Sequence, residues 1–252
     1  MFKILPAAQC SRTFGIGMIA GVALAVASSS KAADEIQPPP YQAAGMNGIS
    51  VSVVWDEATI RKALPPGIEP AKGMTGGINI ASAERVYPFG SYSVAYFYAD
   101  VEGFDSPEGI KGRWMLAGVF GPQTNPSTAF KAYYGVPVRP GTSRFEPSAD
   151  TKRAIGTVNK QDFVTVEYKS VSGSCKPVTI LLNYISLSPK TKEISLLKAP
   201  FVGDFCKAEL VSAKVNAPSG DPFSDYPISK FVGVSEFKNG SSALGILQPA
   251  KE

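Results

Sequence analysis

The chain has 252 residues, 44% of them hydrophobic and 18% charged, with 25 Lys and Arg against 21 Asp and Glu and no histidine. This is ordinary globular composition, which excludes a disordered chain and gives no reason to expect a nucleic-acid partner. The lack of histidine removes Ser-His-Asp and Cys-His nucleophiles, imidazole bases and His-rich zinc sites, so acid–base work falls to Asp, Glu, Lys or Tyr.

The N-terminus reads as a secretory signal peptide over residues 1–32. Lys3 and Arg12 form a positive leader, Gly15 to Ala27 is an uncharged apolar run too short to span a bilayer, and Ser30-Lys31-Ala32 supplies small residues for cleavage. Cleavage near Ala32 predicts a periplasmic or secreted protein, close to neutral, with no stable membrane anchor. An extended Pro-rich lead-in follows over 33–47, with Pro38-Pro39-Pro40 at its centre, and residues 48–252 form one domain.

Ile49 to Trp55 alternates as a strand, Asp56 caps a short helix over Glu57–Leu64, and Pro65-Pro66-Gly67 ends it. Strands are predicted over Ile78–Val86, Ser91–Ala99, Arg113–Phe120, Ala154–Asn159, Phe163–Ser170, Val178–Leu187, Ile194–Lys198, Ala208–Val215 and Phe231–Phe237, all β-branched or aromatic runs bounded by turn residues. One helix interrupts them: Asn125 as its cap, Pro126 at its first position, and Gly135 as its stop. The fold class is α+β, mostly β, with a closed or cone-like sheet and a few short helices.

After the leader, which holds Cys10, only Cys175 and Cys206 remain. In an oxidising compartment such a pair is predicted to form a disulfide. Neither the spacing nor any partner residue suits a metal site, no glycine pattern suits a nucleotide, and no cofactor is expected.

The stretch Ala129-Phe130-Lys131-Ala132-Tyr133-Tyr134-Gly135-Val136-Pro137-Val138-Arg139 resembles the active-site segment of the acetoacetate decarboxylase family, which reads Gly-Arg-Glu, two residues, Gly-x-Pro and a lysine pair. Similar in order are Leu64-Pro65-Pro66-Gly67, Phe89-Gly90-Ser91-Tyr92, Asp221 to Ile228 and Gly245-Ile246-Leu247, so the resemblance runs over nearly the whole mature chain. It implies an acetoacetate decarboxylase-like β-barrel, a homo-oligomer and a small-molecule ligand. The family's Schiff-base lysine falls on Val138, its first-strand arginine near Val54 and one pocket glutamate on Val94. Valine is no nucleophile, and Arg139 stays protonated.

The reading that follows is an exported domain that binds a small keto or carboxylate compound in an apolar pocket without the family's decarboxylation. Ligand-binding candidates are Arg139, as a fork for a carboxylate, Glu84, at the family's other glutamate, and Tyr134, from the segment that lines the family's cavity. Against these stand plain structural roles, an ion pair for Arg139 and solvation for Glu84. The alternative is a lyase of altered mechanism acting on a β-keto acid, with Lys131 as a relocated amine, although a solvated surface lysine is the commoner case. A purely structural subunit is the third reading.

Overall fold

Alternation in residues 49–55 sets the architecture. Ile49, Val51, Val53 and Trp55 are almost fully buried on one side, while Ser50 and Ser52 face the other, so a single strand separates two interiors. A computed structural model describes residues 36–250; the leader read over 1–32, with Cys10, lies outside them.

In chain order the elements are β1 (Tyr41–Trp55), α1 (Glu57–Ala63), β2 (Thr75–Tyr87), β3 (Gly90–Val101), β4 (Gly112–Gly121), α2 (Thr124–Tyr134), β5 (Val138–Pro140), β6 (Thr142–Pro147), β7 (Lys152–Val158), β8 (Gln161–Ser170), β9 (Lys176–Leu187), β10 (Ile194–Val215), β11 (Ile228–Leu244) and β12 (Gln248–Pro249). A 3-10 turn, Pro222–Asp225, precedes β11.

Seven strands close into a ring in the order β11-β1-β2-β3-β4-β9-β10, with β10 pairing back onto β11. Every junction in the ring is antiparallel except β4–β9, a short parallel seam of two residue pairs, Arg113 with Tyr184 and Trp114 with Ile185. The far end of β10 leaves the ring to pair with β8, which continues through β7 to β6 as a second layer. One core lies between this layer, α1, the 3-10 turn and the outer face of β1–β4; it includes Trp55, Phe97, Phe163 and Phe223. The other lies inside the ring with α2 and includes Tyr41, Tyr92, Phe120, Phe130 and Tyr134. The expected mostly-β α+β class is therefore observed, as a closed ring of strands.

Local signals explain most boundaries. Asp56 caps α1 by accepting from the Thr59 N–H at 2.9 Å and the Thr59 hydroxyl at 2.7 Å. α2 starts earlier than its predicted Asn125 cap: Gln123 is the N-cap and makes no side-chain cap bond. Pro126 still fits, because first-turn N–H groups have no helical partner to lose. Gly135 ends α2 at φ 66°, donating to the Lys131 carbonyl at 3.2 Å.

The two strands predicted over 194–198 and 208–215 are one strand of 22 residues. Pro200 does not break it, because the β10–β11 ladder begins only at Phe201, so Pro200 is paired on the β9 side alone. β1 begins at Tyr41, inside the segment read as lead-in, and the short strands β5, β6 and β12 were not anticipated. Cys175 and Cys206 form the expected disulfide, S–S 2.05 Å. It sits where β10 passes from β9, paired up to Phe205, to β8, paired from Ala208.

Candidate functional site

The inside of the ring holds a cavity of about 580 Å³. Its polarity follows from one strand. The inward residues of β3 are Tyr92, Val94, Tyr96, Tyr98 and Asp100, so the wall changes along its length from apolar to polar. At the apolar end Val94, Phe120, Phe130, Tyr134 and Val136 are all buried. At the polar end Ser52 and Val232 are exposed and Thr75, Asp100, Lys111 and Arg113 only half-buried, which puts the mouth there.

Arg113 is the main charge of that end. It opens β4, and its guanidinium lies over the Tyr98 ring, 4.4 Å from the centroid. Among the described residues no carboxylate lies within ion-pair distance of it, and its Nε is enclosed without a hydrogen-bond partner. Burial acts to lower its pKa, but the oxygens of Tyr98, Tyr184, Tyr96 and Asp100 outweigh this and the shift is upward, so the group stays cationic. Lys111 is different, being held by Glu102 at 2.6 Å and Asp105 at 3.1 Å. Asp100 accepts from the Thr75 hydroxyl at 2.8 Å, and burial raises its pKa, with Thr75, Arg113 and Lys111 opposing.

Next to Arg113 runs a hydrogen-bonded chain. The Asn79 Nδ2 donates to the Tyr96 hydroxyl, whose oxygen lies 2.7 Å from that of Tyr184. Either hydroxyl can donate in that contact; the two phenols carry two protons for the one bond between them, which leaves one proton for a ligand acceptor. Asn79 Oδ1 is enclosed and unpartnered. Burial and the neighbouring Tyr184 push the Tyr96 pKa well up, so the Tyr96 phenol stays protonated. A cation, a phenol donor and a free amide oxygen thus share one end of an otherwise apolar cavity.

The residues singled out from the sequence are placed as follows. Tyr134 lines the apolar end, but its hydroxyl donates to the Gly245 carbonyl at 2.8 Å, so it offers the cavity its ring. Arg139 points to the other side of β5, where it pairs with Asp221 at 2.5 Å and lies over Phe223, so it does not line the cavity. Glu84 is exposed beside the backbone of Gly45, because strand parity turns it away from the wall that carries Ala81. Lys131 lies on the solvent face of α2, whose buried face carries Ser127, Phe130 and Tyr134.

The positions at which the resemblance places the family's charged groups are also informative. Val94 and Val138 are buried in the apolar interior, Val138 packed so closely behind Gly118 that a β-carbon there would lie 3.0 Å from its Cγ1. Val54 lies opposite Thr75 in the β1–β2 ladder, the Thr75 hydroxyl bonds Asp100, and Asp100 lies opposite Arg113 in the β3–β4 ladder, so Arg113 stands in the same transverse row as Val54 on another strand. The sequence reading missed Arg113, Asn79 and Tyr184. Arg113 did carry a signal, as the only charge in Gly112–Gly121 and on the same parity as the inward Met115.

A second hollow, of about 300 Å³, lies between β1, β6 and β11 around Glu236. Its carboxylate is saturated by Lys152 at 2.8 Å, Lys238 at 3.1 Å and Ser170 at 3.0 Å. Burial acts to raise the Glu236 pKa, but these bonds outweigh it and hold the carboxylate ionised below its usual range, so it has no free group to offer a ligand.

No protein-family model matches the sequence, and the search of curated proteins returned no match. Solved structures do match in shape. An acetoacetate decarboxylase from Legionella pneumophila superposes with a TM-score of 0.65 at 16% identity, over 84% of this chain and 87% of that one. The enduracididine biosynthesis enzyme MppR, complexed with pyruvate, gives 0.64 at 15% identity over 92% and 98%. An acetoacetate decarboxylase-like enzyme from Sphingomonas wittichii RW1 gives 0.57 at 11% identity over 84% and 93%. The fold is acetoacetate decarboxylase-like, as the sequence resemblance implied, and at these identities the likeness extends to the fold alone.

Proposed function

We propose that this chain is an exported binding protein that holds a small carboxylate or keto acid inside the ring and does not carry out amine-dependent decarboxylation. The observation that carries the proposal is Arg113, a cation set in the cavity with no carboxylate within ion-pair distance and an enclosed Nε without a hydrogen-bond partner; Asp100, its neighbour across the ladder, accepts from the Thr75 hydroxyl instead. A half-buried guanidinium whose enclosed Nε lacks a partner is costly, and a ligand carboxylate supplies that partner in the geometry a guanidinium fits best. Tyr184 and Asn79 then meet a carbonyl or hydroxyl beside it. That MppR, of the same fold, has been captured with pyruvate supports a small acid as the ligand class. Export is supported by the leader composition and by the bridge between Cys175 and Cys206.

Chemistry follows from what surrounds the ligand. An enamine route needs an amine, unprotonated at working pH, in the apolar interior; Val138 supplies none, and Lys131 lies outside. One observation favours a lyase instead, the Asn79-Tyr96-Tyr184 chain, which can polarise a ketone. Electrostatics weigh against it. In a decarboxylation charge leaves the carboxylate for the carbonyl oxygen, so a cation fixed on the carboxylate stabilises the ground state more than the transition state.

The test uses a panel of carboxylates and keto acids in thermal shift and calorimetry. Arg113→Met, which keeps the packing on Tyr98, is expected to weaken carboxylate binding ten- to a hundredfold, the size of a charged hydrogen bond. Arg139→Ala is expected to leave binding unchanged. Equal binding by Arg113→Met and the parent overturns the assignment. Borohydride treatment with acetoacetate, followed by intact mass, is expected to show no adduct on the parent protein; a lysine adduct would establish the lyase reading instead.

A further inference from the structure

Resting on that carboxylate-binding reading, we infer that the ligand is an amphiphile, a monocarboxylate with a medium- or long-chain apolar tail, rather than a short keto acid. Two observations carry this: the volume of the cavity and the direction of its polarity. About 580 Å³ lies well inside the range of roughly 300–1,000 Å³ that encloses drug-sized ligands, so a short keto acid leaves most of it empty. Water filling the remainder would meet walls of Val94, Phe120, Phe130 and Val136 with few polar groups to bond, which makes it easily displaced.

The geometry is ordered end to end. The head group belongs at Arg113 by the mouth, with Tyr184 and the buried Asn79 further in, and the tail points inward toward α2. Tyr92 and Asp100 bracket the inward wall of β3, which at about 3.3 Å per residue is roughly 26 Å of strand, long enough for an extended chain. The valine at position 94 gains a role in this arrangement. Where the resemblance places a glutamate, this chain has apolar wall, the surface an alkyl or aryl tail requires and one that a charged side chain would spoil. The exposed Val232 at the rim continues the apolar lining to the entrance.

The experiment is a calorimetric series of butanoate, hexanoate, octanoate, decanoate and dodecanoate, each below its micelle concentration, on the parent protein, Arg113→Met and Val94→Phe. Affinity is expected to rise about fourfold with each added CH₂ until the cavity is filled. Arg113→Met is expected to weaken every chain length by a similar factor. Val94→Phe, which fills the apolar end, is expected to weaken dodecanoate at least tenfold and leave butanoate unchanged. If butanoate binds as tightly as dodecanoate and both depend on Arg113, the tail is wrong and the carboxylate reading stands. If no acid binds, or none depends on Arg113, both fall together. If Val94→Phe leaves dodecanoate affinity intact while its thermal unfolding confirms a folded protein, the tail does not enter the ring and the inference is overturned.

Discussion

Reducing the disulfide between Cys175 and Cys206 is expected to lower the free energy of unfolding by about 3.5 kcal/mol, the chain-entropy cost of releasing a loop of its size. The bridge joins residues 31 apart in sequence. It fastens the start of β9 to β10 next to the Phe205–Lys176 pair, at the point where β10 changes partners. In the unfolded chain it keeps these segments together; in the folded one, ladders on both sides already do so. The loss therefore comes chiefly from the unfolded state, and a reduced protein is expected to retain the same ring with a lower denaturation midpoint. Chemical denaturation of the parent with and without reductant, beside the Cys175→Ser/Cys206→Ser double variant, measures it. An unchanged midpoint would show that the bridge contributes nothing to stability. A chain dependent on this bridge suits an oxidising compartment, in keeping with the proposed export.

Phe223→Ala is expected to cost about 3–5 kcal/mol, as large as any single truncation in the main core. Phe223 belongs to a 3-10 turn, yet it is 1% exposed, stacked on Phe163 at 3.8 Å and set edge-on to Phe97 at 4.9 Å. The turn is fixed by Asp221, which accepts from the Phe223 N–H at 3.0 Å and pairs with Arg139. Removing the ring leaves a hole between the second layer and β3 and takes away the surface on which Arg139 lies. Phe223→Leu, which refills part of the hole, is expected to recover more than half of the loss. Equilibrium denaturation reads both variants, and a loss below 1 kcal/mol for Phe223→Ala would mean that the turn does not pin the two layers.

The scaffold was more legible than the site. Strands β2, β3, β4, β8 and β9 follow from β-branched and aromatic runs between turn residues, and α1 from Asp56 and Pro65, because those signals act within a few residues. The continuity of β10 was not legible, since whether Pro200 breaks a strand depends on which neighbour faces its missing N–H, a tertiary fact. β5 and β6 are short, and β5 owes its place to the parallel partner β4 across α2. At the site, the valines at 94 and 138, where the resemblance places charged groups, could be read from aligned motifs. Arg113 could not be, because it stands three strands away from the arginine it would replace, and only the ladder from Val54 through Thr75 and Asp100 puts it in the same row. Arg139 was drawn into the reading by its neighbours in sequence, whereas strand parity sends it to the opposite face of β5.

The seam that closes the ring has a bearing on how this chain can change. β4 and β9 meet through two residue pairs, and one of them joins Arg113 to Tyr184, the cation and the phenol of the site. Closing the wall and assembling the head-group pocket are therefore one event. Gly112, beside the seam, has no room for a methyl group: a β-carbon would lie 2.6 Å from that of Phe104 and 2.7 Å from the Ile185 Cδ1. Even Gly112→Ala, chemically slight, must displace Phe104 and the end of the Ile185 side chain beside the pair on which the proposed head-group pocket rests. A substitution at Gly112, Arg113, Tyr184 or Ile185 therefore acts on the closure of the ring and on the proposed head-group pocket together, whereas one in the apolar walls acts on the proposed tail site alone.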